Sequence, residues 1–300
     1  MYPSFVPNGK KPFAKSWWQR LSLKRPATFK QRRHAAPPIL IYQFGKVGSS
    51  SLLDSLTPQW PGLVIHTHSL KEYENEPEQM TVAREILQRS NERMFIISTV
   101  RDPIGRNISA FFQNFERETG VSDKQAHNIS VHRLIELFLE KFPHDTPLNW
   151  FNDHFKNSTG IDIFDYGFSS LGVQTIRRGN VDLLLMLSEL PDWLKETAVK
   201  QFLGLDQFRL MTTNVGSNKR YAETYRKFLQ TFIAPDWYVQ KMYGSRFFRH
   251  FYTPHQEALT ALWTRQLTSA ETATQLKVVE QPESNVSCPG VRPRRALLAG

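Results

Sequence analysis

The 300-residue chain has a single cysteine, Cys288, so no disulfide can form within it. Lone thiols of this kind suit a reducing compartment. No apolar run approaches the roughly 18 residues that a membrane-spanning helix needs, and the N-terminus has no apolar core of the signal-peptide kind. These absences set the expectation of a soluble, cytoplasmic protein. No repeat of about 20–50 residues is visible. Acidic residues are missing altogether from residues 1–36, where nine Lys or Arg stand without a counter-charge.

What is present is ordinary globular composition: 40% hydrophobic, 12% aromatic and 22% charged residues exclude collagen-like, coiled-coil and wholly disordered chains. A net charge of +10 invites a nucleic-acid or anionic-membrane reading. Its distribution argues against the first. Residues 37–265 hold 25 basic and 25 acidic residues, and residues 266–300 hold four and three. The excess belongs to the N-terminal arm, and the body is neutral. Residues 1–36 read as a disordered basic arm. The short apolar group Trp17, Trp18, Leu21 and Leu23 leaves open a contact with an anionic membrane or an acidic partner. Residues 37–268 read as one α/β domain. Residues 269–300, with Pro282, Pro289 and Pro293, read as a disordered tail. Oligomeric state is not legible.

Within the body, residues 38–44, 63–66 and 94–100 are short apolar runs rich in β-branched residues, which predicts buried strands. Residues 49–56 read as a helix begun by serine caps, 76–93 as an amphipathic helix, and the segment after Pro103 as a helix with Ile104, Ile108, Phe111, Phe112 and Phe115 inward. Alternating strand and helix predicts a three-layer α/β fold, a mostly parallel central sheet with helices on both faces. Residues 161–168, 172–176 and 181–187 read as further strands. Helices are expected over 193–202, 219–233 and 255–266.

The most informative segment is Gly45-Lys46-Val47-Gly48-Ser49-Ser50-Ser51. A glycine-bearing turn leaves a strand and enters a helix, whose exposed N–H groups and dipole attract an anion. Three serines add neutral donors and Lys46 adds a mobile charge, the groups a phosphate or sulfate needs. The nucleoside-triphosphate loop puts Lys after the second glycine, followed by Ser or Thr. Here Lys46 stands between the glycines, and no strand-end Asp offers itself to magnesium, since Pro103 places Asp102 in a turn. A second segment, residues 98–112, ends a strand at Arg101 and places Ser109 on the following helix. Arg101 then lies at the carboxyl edge of the sheet, where open parallel sheets bind ligands, and its forked donors suit a second phosphate. His66 and His68, two apart at the end of the second strand, share a face. Either is suited to general-base work near neutral pH. No Asp, Glu or Cys follows at ligand spacing, so no metal is expected.

The two anion segments together resemble those of the sulfotransferases that use 3′-phosphoadenylyl sulfate (PAPS). The wording is most similar to the bacterial capsular polysaccharide synthesis branch, through residues 45–50, 68–70, 101–107 and 251–253. The resemblance implies a P-loop-like, sulfotransferase-type core and PAPS as donor substrate. It implies that Gly45, Lys46, Val47, Gly48, Ser49, Ser50 and Ser51 hold the 5′-phosphosulfate, and that Arg101 and Ser109 hold the 3′-phosphate. It further implies a closing loop that includes Ser217 and Lys219, and a carbohydrate acceptor. Lys46 would stabilise the leaving phosphate, with His68 as base and His66 orienting substrate. Two other readings stay open on the residues alone: a P-loop nucleotide kinase or NTPase, and a non-catalytic protein that binds a glycan or anion. The acceptor itself is not legible.

Overall fold

The computed structural model describes residues 35–88, 91–211 and 221–264. Five strands form one sheet: β1 (Ile39–Tyr42), β2 (Val64–Thr67), β3 (Met94–Val100), β4 (Val173–Arg178) and β5 (Val181–Leu187). Their order is β2-β1-β3-β5-β4. The first four in that order run parallel, and β4 closes the edge as an antiparallel hairpin with β5. β1, β3 and β5 are buried along their whole length, as strands covered on both faces must be.

Alternation sorts the strand side chains into two cores. Ile39, Ile41, Phe95, Ile97, Leu184 and Met186 face one layer, made by α1 (Ser49–Gln59) and α7 (Asp192–Leu203). Leu40, Tyr42, Ile96, Val100, Leu183 and Leu185 face the other. That side is covered by α2 (Glu78–Gln88), α3 (Pro103–Gln113), α4 (Phe115–Thr119), α5 (Val131–Lys141), α6 (Thr146–Trp150), α8 (Ala222–Thr231), α9 (Asp236–Tyr243), α10 (Arg246–Phe251) and α11 (Gln256–Trp263). The predicted stripe of Ile104, Ile108, Phe111, Phe112 and Phe115 is fully inside this larger core. It meets α5 and α8 through a continuous aromatic contact among Phe111, Phe138 and Phe228.

From β1 the chain crosses to β2 on one side and then returns to β3 on the other. The reversal leaves a crevice at the carboxyl ends of β1 and β3, the position where doubly wound sheets take ligands. Residues 45–51 leave β1 there, and Arg101 follows β3 there.

Two expectations are corrected. Residues 161–168 form no strand: the stretch holds a 3₁₀ turn, Ile163–Asp165, because the Asp162 carboxylate accepts the Phe164 N–H at 3.1 Å and curls the backbone. The helix after residue 48 is not begun by a serine cap. Its N-cap is Gly48, in the left-handed region, with no side-chain capping bond. The basic arm up to residue 34, the tail from residue 265, Cys288, Ser217 and Lys219 lie outside the described residues. Among the described residues no helix is long and apolar enough to cross a membrane.

Candidate functional site

The loop between β1 and α1 alternates in handedness. Lys46 and Gly48 have φ of 78° and 86°, while Gly45 and Val47 do not take positive values. Such alternation turns successive N–H groups into one concavity, the kind that binds anions. A lysine in the left-handed region costs about 1–2 kcal/mol, so the surroundings must hold it. They do so through three consecutive carbonyls. Gly45 O accepts from Arg106 Nε at 3.1 Å, Lys46 O from Arg101 Nη1 at 3.1 Å, and Val47 O from Thr99 Oγ1 at 2.8 Å. The acceptors of the loop are thus tied to β3 and α3. The first N–H groups of α1 have no intrahelical acceptor, and Gly48 brings no side chain to them. A helix start in that condition favours negative charge.

Gln43 anchors the same corner. It is wholly buried, and its Oε1 accepts the Thr99 N–H at 2.7 Å. A backbone N–H can only donate, so the amide oxygen must face Thr99. The backbone carbonyl of Gln43 meets His68 Nδ1 at 2.6 Å. That carbonyl can only accept, so Nδ1 carries the proton. Burial, together with the positive charges of Arg106 and Lys46, holds the His68 pKa below its usual value, against the bond to Gln43. His68 is therefore neutral at pH 7 with Nε2 unprotonated. That nitrogen lies against the loop, 3.6 Å from where a Cβ on Gly45 would stand. The His66 ring meets the His68 ring edge-on at 4.8 Å. It is buried, and burial, with His68 second, pulls its pKa down to about 3.

Lys46, Ser50 and Ser51 are half-buried, Val47 and Ser49 are buried, and Gly48 is exposed. The half-buried Arg101 braces the loop and reaches along α3: its Nη2 is 3.8 Å from a Cβ position on Gly105. Ser109, one turn beyond Gly105, shares that helix face. Between Arg101 and α3, Asp102 serves as the cap. Its Oδ2 accepts from Gly105 N at 2.7 Å and Trp263 Nε1 at 2.9 Å, and its Oδ1 accepts from the Tyr243 hydroxyl at 2.9 Å. Burial pushes this carboxyl up to about 6, against the Gly105 bond, and the charge of Glu189 adds to the rise.

Beside the loop is a cavity of ≈ 170 Å³ lined by Val47, Gly48, Ser51, Thr99, Ser188 and Lys195, among others. Lys195 pairs with Asp192 at 2.8 Å on its rim. Gln43, Thr99, Arg106 and Lys195 were not singled out from sequence. Gln43 carried a usable signal, as a lone amide in an apolar strand run. Arg106 carried none: two residues from Ile104, it falls on the helix face opposite the predicted stripe, and it is buried because that face is covered too.

A model of the family described as "putative capsular polysaccharide synthesis protein" matches residues 124–253, less than half of the chain. The matched segment runs from the 3₁₀ turn before α5 to just past α10, and both the 45–51 loop and the 98–112 segment precede it. No curated protein and no solved structure matches the chain.

Proposed function

We propose that the protein is a sulfotransferase that moves a sulfuryl group from PAPS to a hydroxyl of a carbohydrate. In this reading the sheet is a P-loop-like, sulfotransferase-type core. The family match supports the glycan part at the coarse level of capsular polysaccharide synthesis. The observation that carries the chemistry is the meeting of an uncapped helix start with a neutral, Nδ1-protonated His68 against the same loop.

The residues then divide the work as follows. The 45–51 loop takes the 5′-phosphosulfate on its N–H groups and serines. Arg101 and Ser109 take the 3′-phosphate. His68 Nε2 accepts the proton of the acceptor hydroxyl as its oxygen bonds to sulfur. The bond from sulfur to the bridging phosphate oxygen breaks, and that oxygen leaves with the electron pair as part of adenosine 3′,5′-bisphosphate. Lys46 meets the charge that builds there. His66, edge-on against His68, orients the substrate through that ring. The ≈ 170 Å³ cavity gives part of the nucleoside a place beside the loop.

The test is transfer of radiolabelled sulfate from PAPS to a pool of glycans. Incorporation that depends on Lys46 and His68 supports the reading. Absence of incorporation across the pool by folded protein, with no binding of the bisphosphate product, rejects it.

A further inference from the structure

A second cavity, of ≈ 310 Å³, opens on α6 and its continuation. Its size reaches the lower end of the range for small-molecule sites, roughly 300–1,000 Å³. Asp145, Thr146, Asn149, Trp150, Asp153 and His154 line it. One wall is shared with the site already described, since the Trp150 indole N–H donates to the His68 carbonyl at 2.9 Å. Trp150 also packs edge-on against Tyr42 and Phe44, the residues that lead into the 45–51 loop. One indole therefore sits at once against the loop strand, the candidate base and the second cavity.

The backbone here is irregular. α6 continues into a π-helix, Phe151–Lys156, and then a last α-helical stretch, Asn157–Thr159. π-Helical turns are rare and concentrate at functional sites. Here the widened turn carries Asp153 and His154 on the cavity side, with the His154 ring nearly parallel to Trp150 at 6.1 Å and 20°.

We infer that this cavity is the acceptor subsite and that it takes an uncharged saccharide, an inference that rests on the sulfuryl-transfer reading above. The lining offers carboxylate acceptors, an amide that both donates and accepts, and a threonine hydroxyl, the complement of sugar hydroxyls that do both. Asn149, Thr146 and Asp153 are exposed, so a ligand reaches them without rearrangement. The lining contains two carboxylates and no Lys or Arg. Lys241 pairs with Asp145 at 2.8 Å from α9, which commits that cation. Burial holds His154 below its usual pKa, with Lys71 adding to the effect against Asp153, so its ring brings no positive charge at pH 7. A sulfated or uronate-rich chain would meet Asp153 with like charge, which selects against it.

The experiment titrates the full chain, with and without saturating adenosine 3′,5′-bisphosphate, with a panel of uncharged hexose and N-acetylhexosamine oligosaccharides and with the same panel chemically sulfated. Binding of at least one uncharged member, with its sulfated form at least tenfold weaker, is expected. The double variant Asn149→Ala, Asp153→Ala should weaken that binding at least tenfold while leaving bisphosphate affinity and thermal midpoint unchanged. The inference is overturned if no uncharged member binds, if sulfated members bind tighter, or if the double variant binds as the parent does. Failure of the bisphosphate to bind would instead remove the sulfuryl-transfer reading, while the titrations without nucleotide still decide whether this cavity holds a sugar.

Discussion

Two strand-to-helix turns lie side by side at the carboxyl edge of the sheet, and they are finished in opposite ways. The turn after β3 is closed. Asp102 places a carboxylate on the start of α3, and Tyr243 and Trp263 donate to it from segments 141 and 161 residues away. The turn after β1 is open. Gly48 caps α1 with no side chain, Lys46 and Gly48 take the left-handed region in turn, and the loop carbonyls are tied to Arg106, Arg101 and Thr99. The α3 start thus shows what an anion does at such a position when the chain supplies its own. The α1 start has the same need, and among the described residues no carboxylate caps it. A helix start that is braced but has no capping side chain is set up for a ligand.

The comparison breaks most visibly at Lys46. Lys46→Ala should lower sulfate transfer by about 10²–10³-fold, as for loss of a donor to a developing oxyanion. A loss of less than threefold would remove Lys46 from the chemistry. On the closed side, Asp102→Ala should destabilise the fold by about 2–4 kcal/mol, since it removes a cap and strands the donors of buried Tyr243 and half-buried Trp263. Urea unfolding measures this, and a change below about 0.5 kcal/mol would mean that the closed turn is not an anchor.

Making the open turn resemble the closed one is the sharper test. Gly48→Asp puts a carboxylate where the anion is proposed to sit. Asp tolerates the left-handed region, and nothing lies within 4 Å of a Cβ there. Bisphosphate affinity should fall at least tenfold while stability changes by less than about 1 kcal/mol.

The two sides also titrate with opposite sign. His66 is neutral in the fold down to about pH 3. The unfolded chain takes up that proton from pH 6.5 downward, so stability present above 6.5 is lost on acidification, at about 1.4 kcal/mol per pH unit. Asp102 is raised to about 6. Between 6 and 3.8 the fold binds its proton first, so its term gains stability on acidification. Asp102→Asn should therefore steepen acid destabilisation between pH 6 and 4, and His66→Phe should shallow it. Urea midpoints across that range read both slopes, and parallel slopes in parent and variants would refute the assignment. Because His68 is also held below 6.5, the acid limb of transfer should lie below that pH.

Local pattern announced much of this. The runs of β1, β3 and β5 declared buried strands because both faces are covered, and residues 94–100 coincide with the observed β3. The turn after β1 and the strand end at Arg101 were legible because each is a contiguous stretch, an apolar run broken by glycine or proline. What stayed hidden depends on distance or on competition. The partners of Asp102 arrive from the far end of the chain. Asp162 turned an apolar alternation into a 3₁₀ bend. The π-turn after Trp150 leaves no periodic signature. The role of Gln43 appears only once β1 and β3 are neighbours.

The most direct measurement is calorimetric titration of adenosine 3′,5′-bisphosphate into the folded parent and into Gly48→Asp. The account predicts saturable binding to the parent and at least tenfold weaker binding to the variant, with both proteins equally folded. No binding to the parent, or equal binding to both, would contradict it.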